Sequence, residues 1–519
     1  MLRMSAVFGF GCAVALLSST RSAAMQSPLT SGANVNWPGY NNASAADRYV
    51  AISQIDRSNV SGLHVLCSAG LGTQLSFQTG PIVINGVLYA TTKNQTYAID
   101  ATTCATRWIN TYTLPKSVSH NNRGAAYSDG RIYRGFADGH MIAIDASTGA
   151  TIWNQSIIGS GSLEFIAGAP VAFKTSIIAG TAGGDNGQPC HVVAMNAATG
   201  AIIWTVQTVP NIGAPGSSTW KGAARIAGGG TWSALTIDPA TGQLFVPVGN
   251  PGPDYDVRKR IGSDVYTVSV LDLDAATGAM VGAVQTNPED DHDWDQGAAP
   301  AIVTLSGGAK IALIAGKDGY LRSVNASSLQ QNWQTAVTTI TNATAPIVTG
   351  GTHFCPAGGT YWNGPAYSPV TGLAYVNAAD WCKTVKRTPS PAPYQPGQEW
   401  LGTTDGDGVK DAARAGWLSA VDASTGAVAW TYKSTLPLVA GVTPTAGGLV
   451  FDGDLSGNVL AFNSATGALL QTVSTGLPIG GGVISYEVAG KQYLAISAGL
   501  NSMNFGTPST SSEIVILGL

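Results

Sequence analysis

The sequence carries little charge for its length. Only 11% of its 519 residues are Asp, Glu, Lys or Arg, and the formal net charge is −4. Nucleic acids and anionic membrane surfaces attract clusters of basic residues, so this balance argues against both as partners. Long apolar runs are also scarce: the stretch at residues 6–17 is too short to span a bilayer, and no other long one follows. The sequence therefore predicts no membrane span.

The amino-terminal residues have the pattern of a secretory signal. Met1-Leu2-Arg3 precedes the apolar stretch, and small residues ending in Ser22-Ala23-Ala24 follow it. Such a pattern is typical of an exported chain that is cleaved after the small residues. We predict a signal peptide at residues 1–24 and a secreted or periplasmic mature protein at residues 25–519. The alternative is a buried amino-terminal strand.

Cysteine is rare, with six residues in the chain, of which Cys12 lies in the predicted signal. The others are odd in number, so an exported protein would keep an unpaired thiol or form an intermolecular bridge. The preferred pair is Cys355–Cys382, which brackets one hairpin, and Cys67–Cys104 is a second candidate. No C-x-x-C-H motif occurs, which excludes covalent attachment of c-type haem.

Glycine is abundant, with 65 residues, and several glycines stand in a recurring turn. The phrase Asp-Ala-x-Thr-Gly, with Trp four residues after the Gly, stands at Asp145…Trp153 and at Asp422…Trp430. An alternating or apolar run precedes each copy, and Asp or Asn together with Gly favours a tight turn between two β-strands. Variants of the phrase begin at Asp100, Asn196, Asp274, Asn325 and Asn463.

This repeat predicts an all-β fold. A unit that returns every ~40–50 residues is typical of a propeller or solenoid, because one small sheet cannot bury its own face. The seven units, plus one blade closed by both termini, predict a single eight-bladed β-propeller with repeats of the tryptophan-docking type. In the closing blade, the hairpin around residues 487–491 is expected to pair with the strand near residues 63–66. Two further turns, at residues 238–242 and 368–372, are expected to be inner hairpins.

One segment breaks the rhythm of the repeats. Residues 383–415 contain four prolines, followed by Asp405-Gly406-Asp407-Gly408. A stretch so rich in Pro and Gly predicts a long loop over one face of the propeller. The Asp-Gly run resembles a calcium loop but lacks its closing Glu, so a solvated turn is the preferred interpretation.

The densest charge lies at residues 289–295, where five acids stand together with His292 and Trp294. Acids so close together repel one another unless a partner offsets them. A bound cation and a solvated acidic loop are both compatible with the sequence alone.

Six motifs, in their order along the chain, resemble those of the pyrroloquinoline-quinone (PQQ) dependent alcohol dehydrogenases, a family of eight-bladed quinoprotein propellers. The resemblance covers nearly everything after the predicted signal. The motifs are Asn122-Arg123-Gly124-Ala125-Ala126-Tyr127, Gly228-Gly229-Gly230-Thr231-Trp232, Gly249-Asn250-Pro251, His292-Asp293-Trp294-Asp295, Gly316-Lys317-Asp318-Gly319-Tyr320 and Trp362-Asn363-Gly364-Pro365-Ala366-Tyr367-Ser368-Pro369.

The resemblance implies a metal site and a catalytic base in a funnel on the propeller axis. Asp295 would be the base that takes the proton of the alcohol and also a metal ligand. Asn250 would offer its amide oxygen to the metal, and Asp185 would stand in for a glutamate ligand of the family. A carboxylate beside a metal stays ionised and can still accept a proton at short range.

The resemblance also implies a set of contacts to PQQ. Trp232 would stack beneath the planar quinone, because a flat aromatic face suits a flat electron-poor ring. Arg123 and Lys317 would pair with the carboxylates and quinone oxygen, and a cation there polarises the carbonyls for hydride attack. Many members have Arg where this chain has Lys317. Gln78 and Asn363 would be further cofactor contacts.

Departures from the family pattern bear on the metal and the substrate. Ser117 and Val118 stand where many of these enzymes have adjacent cysteines whose disulfide covers the quinone, and Ala167 replaces a threonine contact. Gly297 stands where lanthanide-using relatives carry an extra Asp, so calcium is the expected metal. The missing lid leaves small alcohols and polymeric or sugar alcohols, as in the polyvinyl-alcohol-dehydrogenase-like branch, as equal candidate substrates.

Two functions of different kinds follow as hypotheses. The first is a PQQ- and calcium-dependent alcohol dehydrogenase that passes electrons to an external acceptor such as a cytochrome. The second is a non-catalytic propeller scaffold, similar to the outer-membrane assembly lipoprotein that shares such repeats. Convergence of Asp185, Asn250 and Asp295 on one site would distinguish the first from the second.

Overall fold

The computed structural model describes residue 1 and residues 34–74, 76–115 and 121–519. Within these residues the regular structure is β-strand, apart from short 3-10 turns at Val60–Gly62, Gly184–Asn186, Ser217–Thr219 and Val257–Lys259. The predicted all-β class is therefore confirmed. The predicted signal peptide, except Met1, and the lid positions Ser117 and Val118 lie outside the described residues. No helix in the described part of the chain is long and apolar enough to cross a membrane.

The described strands form eight four-stranded antiparallel sheets, which we number 1 to 8, and one smaller sheet. Sheet 1 contains Ile82–Ile84, Val87–Thr91, Gln95–Asp100 and Thr106–Thr111, and sheet 2 contains Ala126–Ser128, Arg131–Gly135, His140–Asp145 and Thr151–Ser156. Sheet 3 contains Val171–Phe173, Ser176–Gly180, His191–Asn196 and Ile202–Gln207, and sheet 4 contains Thr236–Ile237, Gln243–Val248, Ser269–Asp274 and Met280–Gln285.

The second half of the chain repeats the pattern. Sheet 5 contains Ala301–Thr304, Lys310–Ala315, Tyr320–Asn325 and Gln331–Ala336, and sheet 6 contains Ala366–Ser368, Leu373–Asp380, Ala415–Asp422 and Val428–Ser434. Sheet 7 contains Thr443–Pro444, Leu449–Gly453, Asn458–Asn463 and Leu469–Ser474, and sheet 8 contains Ile479–Val488, Lys491–Ala498, Glu513–Gly518 and His64–Gly70. The smaller sheet contains Thr352–Phe354, Lys383–Val385 and Val409–Lys410.

The first strands of the sheets form a closed ring, which is the propeller arrangement. Those of sheets 2 to 8 lie side by side in chain order. A parallel bridge between Gly80 and Gly124 joins the segments that lead into sheets 1 and 2. The N–H of Gly482 donates to the carbonyl of Thr79 at 2.9 Å and so connects sheet 8 to sheet 1. Because the apolar faces of neighbouring sheets pack on one another, each sheet buries what it could not bury alone.

The recurring turn joins the last two strands of a sheet, and at five places it also accepts an indole from the preceding sheet. Asp145 Oδ1 accepts hydrogen bonds from the N–H groups of Ser147 and Thr148, and Gly149 has a φ of +77°, a conformation that glycine adopts without strain. The indole of Trp108, from the preceding sheet, packs on Gly149 and donates to the carbonyl of Ala146 at 3.1 Å. Equivalent indole-to-carbonyl bonds join Trp153 to Ala197, Trp204 to Ala275, Trp333 to Ala423 and Trp430 to Ser464.

Both termini contribute to sheet 8, but the pairing differs from the expectation. Strand His64–Gly70 pairs with Glu513–Gly518 and not with the hairpin around residues 487–491. The final strand, Glu513–Gly518, lies between His64–Gly70 and that hairpin, because the chain reverses once more after Lys491–Ala498 and pairs antiparallel with it. The turns at residues 238–242 and 368–372 are inner hairpins, as expected, since each joins the first two strands of its sheet.

Both expected disulfides are present. Cys67–Cys104 links sheet 8 to sheet 1, and Cys355–Cys382 lies beside the smaller sheet. Among the described cysteines, Cys190 is unpaired and buried.

Residues 35–50 cross one face of the ring and cover that end of the axis. Main-chain hydrogen bonds join this segment to six sheets, through Val35 to Glu487, Trp37 to Val83, Ser44 to Ile237, Ala45 to Ile302, Asp47 to Tyr367 and Val50 to Pro444. Its Tyr40 packs at the centre against Ala169, Ala234 and Ala299, which precede the first strands of sheets 3, 4 and 5.

Candidate active site

Most of the candidate residues line one cavity, whose volume is about 1070 Å³ including its open mouth. Seven of the eight sequence-predicted site residues line it, although they come from loops that leave different sheets. They are Gln78, Arg123, Asp185, Trp232, Asn250, Asp295 and Lys317. The eighth, Asn363, is held away from the lining: its Nδ2 donates to the carbonyl of Val439 at 2.8 Å, and its Oδ1 accepts from Tyr40 at 3.0 Å.

Asp295 is held at both carboxylate oxygens. Its Oδ1 accepts the backbone N–H of Asn250 at 2.8 Å, and its Oδ2 lies 2.5 Å from Lys317 Nζ. The side chain is only 4% exposed. A buried carboxylate needs such partners because removing it from water is costly. The geometry therefore keeps a negative oxygen at a fixed point of the cavity wall.

Asn250 presents an amide oxygen beside that carboxylate. Its Nδ2 donates to the carbonyl of Pro251 at 3.3 Å, so the amide oxygen points away from Pro251. The backbone of Asn250 is fixed in turn, since its carbonyl accepts the N–H of Gly229 at 2.9 Å. Asn250 is 3% exposed, so its position depends on its packing against the adjacent glycine segment, residues 228–230.

Asp185 lies on the short turn Gly184–Asn186, between two glycines with positive φ, Gly183 and Gly187. Its carbonyl accepts the N–H of Trp400 at 2.5 Å, so the long loop holds this turn. Asp185 is exposed to the open space of the cavity, whose walls displace part of the water around its carboxylate. This desolvation, followed by the charge of Asp295, raises the pKa of Asp185 to about 6. Asp185 and Asp295 therefore repel each other across a common space.

Lys317 stands between two acids. Its Nζ lies 3.0 Å from Asp293 Oδ1 and 2.5 Å from Asp295 Oδ2. Burial alone would lower the pKa of Lys317, but Asp293 and Asp295 raise it well above its ordinary value. The ammonium group also lies over the indole of Trp232, 5.7 Å from the ring centroid. The cavity thus holds a permanent cation.

Arg123 is a buried cation without an acidic partner. Its Nη1 donates to the carbonyl of Trp232 at 2.6 Å, and its guanidinium lies 4.8 Å from the Trp232 ring centroid and 5.5 Å from that of Trp362. Its Nε is buried with no hydrogen-bond partner. Burial lowers the pKa of Arg123 to about 10. Among the described residues, no carboxylate lies within ion-pair distance of it.

Trp232 and Gly297 are in direct contact. A Cβ added to Gly297 would overlap the indole of Trp232, so a larger residue at this position would displace the ring.

Gln78 lies at another wall of the cavity, where its Oε1 accepts from Asn121 at 2.9 Å and its Nε2 donates to Ser76 at 2.5 Å. These contacts keep the amide of Gln78 facing the cavity.

The acidic run at residues 289–295 is not a solvated loop. Asp290, Asp291 and Asp295 are 4%, 8% and 4% exposed, respectively. Asp291 pairs with His292 at 2.7 Å, and Asp290 accepts the N–H of Trp294 at 3.2 Å. Contacts within the protein therefore offset part of the negative charge at residues 289–295. Asp295, the last acid of this segment, lines the cavity.

Sequence reasoning missed several residues of the site. Tyr361, Trp362 and Phe505 form an aromatic wall of the cavity, and Glu399 stands at its mouth. Trp362 is the first residue of one of the six motifs and Tyr361 directly precedes it, so this motif was a usable signal for both. Phe505 and Glu399 lie in irregular segments without a motif, and only the folded chain brings them here.

A family model described as the β-propeller domain of glucose, ethanol and alcohol dehydrogenases, named for PQQ, matches residues 37–328. That match covers more than half of the chain. The chain belongs to this quinoprotein family. A second model, described as outer membrane protein assembly factor BamB, matches residues 413–495.

Curated relatives and solved structures agree with the family. The quinoprotein chain is 29% identical to the dehydrogenase subunit of the quinone alcohol dehydrogenase of Gluconacetobacter polyoxogenes, over 89% of this chain and 71% of the relative. It is 28% identical to the quinohemoprotein alcohol dehydrogenase of Comamonas testosteroni, over 92% and 74% of the two chains. The crystal structure of that enzyme superposes with a TM-score of 0.85, 25% identity and coverage of 93% and 80%.

The residues of this quinoprotein fit an anionic planar cofactor and a hard metal ion. Arg123 is a buried cation whose Nε has no partner, which suits an anionic group. Trp232 and Trp362 offer flat aromatic faces in the same cavity. Asp185, Asn250 and Asp295 offer only oxygen ligands, the type that calcium prefers.

Proposed function

We propose that this chain is a PQQ- and calcium-dependent dehydrogenase that oxidises an alcohol. The observation that carries the proposal is the convergence of Arg123, Asp185, Asn250, Asp295 and Lys317 on one cavity. These residues come from separate loops, and two of them are buried cations that no structural need of a propeller explains. Relatives whose names state quinone-dependent alcohol oxidation support the same activity.

The chain's own residues supply the acid-base part of this reaction. Asp295 takes the hydroxyl proton of the alcohol, and the N–H of Asn250 holds its carboxylate in place for that transfer. Lys317 would supply positive charge toward the bound quinone. PQQ, when bound, supplies the acceptor for the hydride. Arg123 would hold its carboxylates, and Trp232 would support its ring.

Asp185, Asn250 and Asp295 would hold the metal, and Gly297 favours calcium because no additional carboxylate stands there. A side chain at position 297 would also collide with Trp232. We propose that the electrons would pass to an external acceptor, such as a cytochrome. Small alcohols and polymeric or sugar alcohols are both proposed as substrates.

The proposal includes the architecture and the compartment. We infer that the eight four-stranded sheets are eight blades of one propeller formed by residues 25–519. The indole-to-carbonyl bonds between successive sheets support repeats of the tryptophan-docking type. We also infer export to the periplasm or beyond after removal of residues 1–24.

The test is reconstitution of the purified protein with PQQ and calcium, followed by dye reduction with a panel of alcohols. We expect dye reduction that needs both additions and that falls at least about 100-fold in the Asp295→Asn variant, because general base catalysis contributes at least that factor. The Asp129→Asn variant is the control, since that carboxylate is 93% exposed and lies outside the cavity. Absence of PQQ binding would overturn the proposal and favour the scaffold hypothesis.

A further inference from the structure

The long loop at residues 383–415 reaches the cavity and does not only cover the face of the ring. Its Glu399 lines the cavity mouth, and the N–H of its Trp400 donates to the carbonyl of Asp185. Its Lys410 and Arg414 contact Asn504, another residue of the cavity lining. The one segment without the repeat is therefore in contact with the proposed active site at several points.

At the base of this loop lies a buried lysine with two oxygen partners. The side chain of Lys383 is 2% exposed, and its Nζ donates to Tyr255 Oη at 2.6 Å and to Asp407 Oδ1 at 2.8 Å. Tyr255 Oη donates to the same Asp407 oxygen at 2.5 Å. Desolvation by the surrounding protein opposes the charge of Asp407, but Lys383 and Lys410 hold its pKa well below the usual range. Asp407 is therefore the counter-ion of Lys383 and, through its other oxygen, of Lys410.

The neighbour of this group is Asp293, the acid that contacts Lys317. Tyr255 Oη lies 3.4 Å from Asp293 Oδ2, an oxygen that also accepts from Lys317 Nζ at 3.2 Å. Lys383 and Lys317 both act on Asp293 electrostatically. Asp293 is therefore linked to Lys317 directly and to Lys383 through Tyr255, and of the two lysines Lys383 has a carboxylate partner from the loop.

We propose that Asp407 is a positioning residue for Lys317, because it occupies Lys383 and so leaves Asp293 paired with Lys317. This inference rests on the proposed function, in which Lys317 faces the cofactor. Without the negative charge of Asp407, the buried ammonium group of Lys383 lacks a carboxylate partner, and Asp293 is an acid on which Lys383 already acts. Movement of Asp293 toward Lys383 would release Lys317 from one of its two anchors and shift its Nζ away from the cofactor.

The test compares Asp407→Asn with Asp411→Asn. Asp411 is a matched control: it belongs to the same loop, it is 42% exposed where Asp407 is 47% exposed, and it pairs with His353, whereas Asp407 pairs with Lys383 and Lys410. PQQ affinity is measured by quenching of tryptophan fluorescence in the presence of calcium, and kcat is measured separately. We expect Asp407→Asn to weaken PQQ binding and to lower kcat by roughly five- to tenfold, as for coupled neighbours. Asp411→Asn should change both by less than about twofold.

A second variant separates positioning from a loss of structure. Replacing Lys383 by Met removes the competing cation, so Asp407→Asn combined with Lys383→Met should bind PQQ more tightly than Asp407→Asn alone. If Asp407 had only a structural role, the double variant should bind PQQ less tightly than Asp407→Asn, because the effects of the two substitutions would add. Asp407→Glu, which keeps the charge, should retain most of the affinity even if Asp407→Asn folds poorly.

The outcomes are distinguishable. If the wild-type protein binds no PQQ, the proposed function fails, and the positioning role fails with it. If the wild type binds PQQ and Asp407→Asn matches Asp411→Asn, only the positioning role is wrong. If the double variant is weaker than Asp407→Asn, the competition between the two lysines is refuted.

Discussion

At the scale of single residues, the candidate site stands out by its charges. The chain has few ionisable groups, yet Arg123 and Lys317 are buried side chains at the same cavity. Burial of a charge is unfavourable unless a partner offsets it. Lys317 has two acids within 3.0 Å, whereas the described residues offer the guanidinium of Arg123 aromatic rings and a carbonyl. Of these two cations, Arg123 is thus the one that needs an anionic ligand.

The first prediction follows from this difference. Replacing Arg123 by Met should lower PQQ affinity by about tenfold or more, since a buried charge-assisted contact is worth at least about 1.5 kcal/mol. The measurement is a titration of tryptophan fluorescence with PQQ. The same change at Arg107, whose side chain is 47% exposed and paired with Asp100 outside the cavity, should leave the affinity unchanged. Equal affinities for both variants would show that Arg123 does not hold the cofactor.

At the scale of one element, the turn between the last two strands of a sheet does two things. Its Asp or Asn side chain accepts backbone N–H groups, and its Gly lets the chain turn with a positive φ. The same Gly leaves room for an indole from the preceding sheet. In sheet 6, a Cβ on Gly426 would lie 2.8 Å from the ring of Trp333. A glycine in this turn thus serves both the backbone and the contact between sheets.

Two glycines of sheet 6 separate these effects. Gly426 and Gly372 have φ values of +79° and +71°, but a Cβ would have a neighbouring atom within 4 Å only at Gly426. We expect Gly372→Ala to lower the free energy of unfolding by about 1 kcal/mol through backbone strain. Gly426→Ala should cost roughly 2–4 kcal/mol, because it also displaces Trp333. Chemical denaturation measures both, and equal losses would contradict a docking role for the indole.

At the scale of the whole molecule, buried polar groups connect sheets that are distant in sequence. Arg48, from the segment that crosses the ring, is fully buried and donates to the carbonyls of Val442 and Val483. Asn377 of sheet 6 donates to Asp452 of sheet 7 at 3.0 Å. The pKa of Asp452 is raised to about 8, chiefly by burial, against the opposing effects of the Gly453 and Asn377 hydrogen bonds.

This raised pKa predicts a pH dependence of stability. The folded protein keeps a proton on Asp452 between about pH 4 and 8, where the unfolded chain has lost it, so its contribution to stability falls as pH rises through this window. Asp452→Asn stays neutral throughout. Its stability relative to wild type should therefore increase by on the order of 1 kcal/mol or more from pH 5 to pH 8. For the control Asp129→Asn, at an exposed site, the free energy of unfolding should change with pH in parallel with that of wild type. A curve for Asp452→Asn that is also parallel to wild type would show that Asp452 is ionised when folded.

Much of the fold was predictable because its cause is local. The turns at Asp145 and Asp422 depend on residues within five positions of one another, and a repeated local signal accumulates along the chain. The disulfides at Cys67–Cys104 and Cys355–Cys382 are likewise present as predicted. The pairing in sheet 8 was wrong in detail, since the order of strands at closure depends on residues from both ends of the chain.

The site was predictable where the resemblance to the family carries it, mostly through motifs. Arg123, Trp232 and Lys317 stand in motifs that resemble a family, and they line the cavity. Asn363 stands in such a motif as well, yet its amide bonds to Tyr40 and Val439, outside the cavity lining. No local pattern marks Tyr40, because its place at the ring centre results from the path of residues 35–50 across six sheets.

The sequence by itself determined the β-sheet repeat, the turn chemistry and the presence of charged residues in motifs, since each depends on residues close together in the chain. The tertiary structure alone decided which charges meet. Asp407 and Lys383 lie 24 positions apart, and Tyr255 lies 128 positions before Lys383, yet the three share one hydrogen-bond group in which Lys383 and Tyr255 are buried. Burial of such partners strengthens their interactions, because less water screens the charges.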